Sequence, residues 1–242
     1  KGSSGQSYNG TVSLSGDVVM NAGNLGPVSF SSTIDSAPLA TKSLTLQGVN
    51  AVQLNGNIGA SNSLSSFSIS GTGSALTTFN AGSVTTIGSG QTYNTALLIG
   101  NAAPGQINLT AGSGDVVFGN TVGLNSKNLT VSADEIDINN TMDPGSSGVS
   151  VLILQAGNTS TPVVIAGTLA AGTLDLTSAE LLNLVNGFKS ITIGNVNSLG
   201  SLTVAADLTS NQIRDPFTLT TSGNMEYKVK GIRWSKIFSW IE

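Results

Sequence analysis

From residue 44 to residue 219 the chain keeps returning to one short pattern, two apolar residues separated by a single residue. Examples are Leu44/Leu46, Val52/Leu54, Phe67/Ile69, Ile107/Leu109, Leu129/Val131 and Ile136/Ile138. Val163/Ile165, Leu174/Leu176, Ile191/Ile193, Leu202/Val204 and Phe217/Leu219 continue the series. Alternation with period two places both apolar side chains on one face of an extended strand. Clusters such as "NGNIG", "NAAPGQ" and "MDPGSSG" separate the pairs and mark turns. Many short strands joined by turns define an all-β chain.

Composition narrows the choice among all-β folds. Thirty of 242 residues are glycine, and only 9% are charged, against roughly 25% in ordinary globular chains. The polar share is Ser, Thr, Asn and Gly, which suit turns and outer strand positions. Residues 1–224 contain no Trp and only two Tyr, a small aromatic payload for the runner-up fold, a pair of β-sandwich domains. Internal repetition favours a solenoid instead. "GQSYNG" at 5–10 returns as "GQTYNT" at 90–95. "PVSFSSTIDSAPLATKSLTLQG" at 27–48 is echoed by "DVVFGNTVGLNSKNLTVSA" at 115–133, with V-x-F, T-[IV], a Lys-bearing turn and L-T-[LV] in the same order. Stacked coils bury inner faces that no coil could bury alone. Low charge fits, because like charges would stack at about 4.8 Å from coil to coil. The expectation is about ten coils of roughly 20–25 residues, with Gly-Gln-x-Tyr-Asn marking one corner of the solenoid twice.

One stretch departs from the strand pattern. In "LTSAELLNLVNGFKSITIG" (176–194), Thr177 or Ser178 is an N-cap and Glu180 completes a capping box with Thr177. Leu181, Leu184 and Val185 follow at helical spacing, and Gly187 is a stop signal. A helix over 178–186 and a strand over 190–194 are predicted.

The "GQ-[ST]-Y-N" openings, the "GSGDVVFGNTV" and "SLTVAAD" coils and the "LTSAELLNLVNGFKSITIG" element resemble large secreted bacterial repeat proteins of the filamentous-haemagglutinin type. The resemblance covers roughly residues 5–220. It implies a right-handed parallel β-helix, secretion to the bacterial cell surface, and a role in adhesion or extracellular scaffolding. That family's secretion domain is not recognisable here, so a piece of a longer precursor is expected.

The inventory for chemistry is thin. There is no Cys and no His, which removes thiolate chemistry and the commonest general base and metal ligand. The densest acidic stretch is "SADEIDINNTMDPG" (132–145). If Ile136 and Ile138 point inward, Glu135 and Asp137 point outward together, as a solvated acidic face or, less favoured, as an acid–base pair in a polysaccharide-cleaving enzyme. No EF-hand loop or phosphate-binding glycine loop is present, so no metal, cofactor or catalytic residue is assigned. Asn9, Asn108, Asn128, Asn139 and Asn158 head Asn-x-Ser/Thr triplets of the frequency such a composition produces by chance, and no glycan is expected from them. Residues 1–224 carry five basic and eleven acidic residues, a balance that repels nucleic acid.

Composition shifts near residue 222. "NMEYKVKGIRWSKIFSWIE" (224–242) holds four basic residues and both Trp. The division is therefore 1–222, a β-helix with units starting near 5 and 90, and 223–242, a basic aromatic tail. Trp234, Ile237, Phe238 and Ile241 fall at i, i+3, i+4 and i+7, which predicts an amphipathic helix over 232–241. Tyr227, Arg233, Trp234, Ile237, Phe238, Trp240 and Ile241 are the candidate residues for capping the solenoid end, docking on another copy head to tail, or lying on a membrane surface. The functional expectation is a non-enzymatic building block of a surface filament or layer, or an adhesin stalk. The alternative is a monomeric adhesin segment that binds a glycan or protein.

Overall fold

The computed structural model describes residues 5–23, 26–168 and 170–228. Every strand pairing among them is parallel. The architecture is a parallel β-solenoid of three ladders, visited in turn by each coil. A two-sandwich arrangement, built on antiparallel pairs, is thereby excluded.

The first ladder aligns Gln6, Val28, Val52, Thr77, Leu97, Val122, Met142 and Leu184. The second aligns Val12, Ile34, Ile58, Val84, Leu109, Val131, Leu154, Ile193 and Leu219, nine levels in all. Its neighbours stand 22 to 26 residues apart in sequence, except Leu154 and Ile193 at 39. At about 4.8 Å per level the ladder is about 40 Å long. The third aligns Val18, Leu44, Phe67, Gln91, Val116 and Ile136, and resumes as Leu174, Val163, Leu202 and Met225.

The alternating pairs read from the sequence line the interior. From Leu44 to Phe217 every member of the eleven pairs is buried, and only Leu219, in the last coil, is partly covered. Polar residues flanking the pairs and at the turns bond along the rod. Ser132 accepts from Gln155 at 2.7 Å, and Gln155 accepts from Asn195 at 2.9 Å. Asn80 donates to Asn55, and Asn125 to Asn101, each at 2.8 Å.

The two Gly-Gln-x-Tyr units share one local structure. Gly5 and Gly90 both adopt φ +83°, and a Cβ at Gly90 would lie 2.0 Å from the Asp115 carbonyl oxygen. Each Gln N–H donates across to the next coil, Gln6 to Pro27 at 2.8 Å and Gln91 to Asp115 at 2.7 Å. Each Tyr hydroxyl donates to its own Gln Oε1 at 2.9 Å. Each ring stacks on the Phe of the next coil, Tyr8 on Phe30 at 4.9 Å and Tyr93 on Phe118 at 5.7 Å. Yet they do not mark the same corner, as the sequence suggested. Gln6–Tyr8 lies in the first ladder, whereas Gln91–Tyr93 lies in the third. The offset of 85 residues is not a whole number of coils. The longer echo is rotated the same way: Val28–Phe30, Ile34 and Leu44–Leu46 run through ladders one, two and three. Val116–Phe118, Val122 and Leu129–Val131 run through three, one and two.

The predicted internal helix is present as α1, Ser178–Asn183, with the full Thr177/Glu180 capping box. It stops at Leu184 rather than 186, because Leu184 is drawn into extended conformation and bridges Met142 in the first ladder. The solenoid passes the composition shift at 222, since Met225–Tyr227 pairs with Leu202–Val204. Of the seven candidate capping or docking residues only Tyr227 lies within the described structure. Arg233, Trp234, Ile237, Phe238, Trp240, Ile241 and the helix expected over 232–241 lie outside the described residues.

Tyr93 and Gln91 are fully buried, and the Gln91 amide also donates to the Val84 and Thr110 carbonyls. Tyr93→Phe leaves the Gln91 acceptor buried without its donor, an expected loss of about 1–3 kcal/mol in urea unfolding. Tyr8→Phe, at the half-exposed copy, is expected to cost less, because water reaches the Gln6 acceptor.

Candidate functional site

The third ladder has one break. The strand Ile136–Ile138 pairs with Val116–Phe118 on one side, but no backbone ladder joins it to its other neighbour, Leu174–Leu176. The chain order explains why. Leaving the second ladder at Ala156, the chain first forms Val163–Ile165 one level further along the axis. It then returns and lays Leu174–Leu176 behind it, in the gap beside Ile136–Ile138. The 39-residue interval in the second ladder is this detour.

Side chains take over where the backbone ladder fails. Glu135 carboxylate accepts the Asp175 N–H, at 3.2 Å through Oε1 and 3.1 Å through Oε2, and Oε1 also accepts the Ile136 N–H at 2.9 Å. Glu180 Oε1 accepts the Ile138 N–H at 3.1 Å, while its Oε2 accepts the Thr177 N–H and hydroxyl at 2.8 Å each. Asn183 Nδ2 donates to the Ile138 carbonyl at 2.6 Å. Helix α1 therefore works as a peg: its capping-box glutamate and its last residue satisfy the exposed edge of Ile136–Ile138. Asp175 is wholly buried, and its Oδ2 accepts from the Ala170 N–H and the Thr173 hydroxyl, each at 2.6 Å. Its Oδ1 is buried with no hydrogen-bond partner.

The seam is crowded with like charge. Burial, above all, pushes the Glu135 carboxyl up to about 7, opposed by its two backbone N–H donors and reinforced by the charges of Asp175 and Glu180. Asp137 is raised by burial and then by Glu180 and Asp115. Asp115 is raised by burial and by Asp134. No lysine or arginine enters any of these balances, and among the described residues the one ion pair is the exposed Lys228–Glu226 contact at 4.0 Å.

This corrects the outward Glu135/Asp137 pair expected from alternation. Asp137 is half-exposed on the strand, but Glu135 precedes the strand and folds back onto backbone N–H groups. Among the described residues no group of three or more acidic side chains has the geometry to hold a metal ion. Sequence reading missed Asp175 and the second role of Glu180. The capping-box signature located Glu180, but nothing local reveals that its other oxygen reaches a strand 42 residues earlier.

No protein-family model matches the chain, and no curated protein or solved structure matches it.

Glu180 serves the helix cap and the strand edge at once. Glu180→Ala is expected to lower stability by about 2–3 kcal/mol, more than an ordinary cap loss, because it also strands the Ile138 N–H. Chemical denaturation measures this. Glu180→Gln, which keeps an acceptor oxygen, is expected to lose less.

Proposed function

We propose that the chain is a rigid, non-enzymatic rod segment of an extracellular bacterial surface structure that joins end to end with copies of itself. The filamentous-haemagglutinin-type resemblance suggests the setting and a right-handed winding, the usual hand of parallel crossovers.

The observation that carries the reading is the outer edge of the first described coil. Gln6, Val12 and Val18 donate to the second coil, and Tyr8 and Leu14 accept from it. By strand alternation the backbone groups of Ser7, Ser13 and Val19 point the other way. Tyr8, Val12, Val18 and Met20 are only partly covered. Natural sheets defend such edges with charge, proline or bulges. Residues 5–23 hold no proline and one charge, Asp17. At the other end, Phe217–Thr221 and Met225–Tyr227 close the second and third ladders with Leu219, Met225 and Tyr227 partly covered. Every interior coil contact already joins a trailing edge to a leading edge in parallel. The leading edge of the first described coil and the trailing edge of the last are complementary by the same construction. The acidic body and the basic tail, with Trp234, Phe238 and Trp240 as anchors, favour the same head-to-tail order.

Negative-stain microscopy and light scattering over a concentration series test this on three proteins: the intact chain, a chain ending at Lys228, and Ser13→Pro. Ending at Lys228 keeps the Met225–Tyr227 strand, and proline at Ser13 removes only an outward-pointing N–H. Long filaments from the intact chain and short rods from Ser13→Pro are the expected result. Loss of filaments in the truncated chain makes the tail the connector. Short rods from all three at every concentration overturn self-association and put the monomeric adhesin segment in its place.

A further inference from the structure

We propose that the seam between Ile136–Ile138 and Leu174–Leu176 is a pH-sensitive joint in the rod, closed in mildly acidic medium and loosened in alkaline medium. The inference is independent of whether the rod self-associates.

The geometry is that of a joint. The second ladder runs past this level unbroken, through Leu154–Ile193, and the first reaches it through the single bridge Met142–Leu184. The third is held across it by side chains alone, from Glu135, Glu180 and Asn183. Backbone ladders do not titrate between pH 5 and 9, whereas the Glu135 carboxyl, pushed up to about 7 chiefly by burial, does. The segment that closes the seam, 166–184, is an excursion whose removal would leave the neighbouring strands of the second ladder paired.

The charges facing Glu135 are all negative. They are Asp175 from the strand laid into the gap and Glu180 from α1; around them, Asp137 is raised in turn by Glu180 and Asp115, and Asp115 by Asp134. The seam is also short of donors, since Asp175 Oδ1 is buried with none. A proton on Glu135 relieves the first condition: it removes one charge and leaves an oxygen to accept the Asp175 N–H. The direction follows from linkage. In the closed seam Glu135 holds its proton up to about pH 7, and in an opened, solvated seam it returns to the ordinary value of 4.5. Closure is thus fully favoured below about 4.5 and loses that contribution as pH rises through 7.

Hydrogen–deuterium exchange on the intact chain between pH 5.5 and 8.5 tests the joint, with each rate divided by the intrinsic rate at that pH. The expected result is a fall of roughly tenfold in protection at 136–138 and 170–184, less than full linkage would give because Glu135 is partly exposed. Strands Gln106–Thr110 and Asn128–Ala133, in the unbroken second ladder, should hold constant protection. Glu135→Gln, neutral at every pH with its acceptor kept, is expected to abolish the fall. Raised salt is expected to shrink it in the unmodified chain. Flat protection at the seam of the unmodified chain overturns the proposal whatever the variant does. A fall that survives Glu135→Gln overturns the assignment to Glu135.

Discussion

Everything in this rod rests on parallel pairing from one coil to the next. The pairing satisfies backbone groups that would otherwise be buried unmatched, and it places like side chains in rows along the axis. A row of Ile34, Ile58, Val84, Leu109, Val131, Leu154 and Ile193 is a continuous apolar column in which each residue excludes water from its neighbours. The same stacking explains the outer surface. Ser, Thr, Asn and Gln hydrogen-bond to one another one level away, whereas stacked charges of one sign would repel. Low charge is therefore a consequence of the architecture.

Two of the places that admit polar groups to the interior handle them differently. In the Gln91–Tyr93 pair, donor and acceptor are matched inside one strand, and the remaining amide hydrogens go to backbone carbonyls. This arrangement is self-contained, so it recurs at Gln6–Tyr8 on another face. The seam at Ile136–Ile138 draws its groups from residues up to 45 positions apart and gathers carboxylates without a cation. The first arrangement is rigid and insensitive to pH, whereas the second depends on where its protons reside. The level of the seam differs chemically from the levels of the two Gln–Tyr pairs.

That level also shows how the solenoid absorbs extra sequence. Between Leu154 and Ile193 the chain carries about one and a half coils of residues while the second ladder advances one step. The surplus forms an added strand and α1, and the helix becomes the peg that seals the gap. Loops can lengthen at little cost if their ends stay close, but here the insertion lies within a ladder. Its backbone edges needed partners, which explains why Glu180, Asn183 and Glu135 are all committed there.

Much of this was legible in the residues because much of it is local. Period-two alternation identified the inward side chains, since a strand that faces a core on one side leaves no other choice. The Thr177/Glu180 spacing identified the helix, since a capping box is completed within four residues. Three things were not legible. The ladder to which each Gly-Gln-x-Tyr unit belongs depends on the summed lengths of the coils between them, and corner loops of different lengths carry the motif from one face to another. The reversal of Val163–Ile165 and Leu174–Leu176 along the axis leaves both with the same alternating pattern, so their order in space is invisible in sequence. The environment of Glu135 is decided by Asp175 and Glu180, some 40 residues away, and only the packed coils bring them together. The sequence by itself determined which residues face in, where the chain turns and where it forms a helix, because those follow from neighbours along the chain. The tertiary structure decided which level and which face each strand occupies, and hence which carboxylates share one seam, because those follow from neighbours across it.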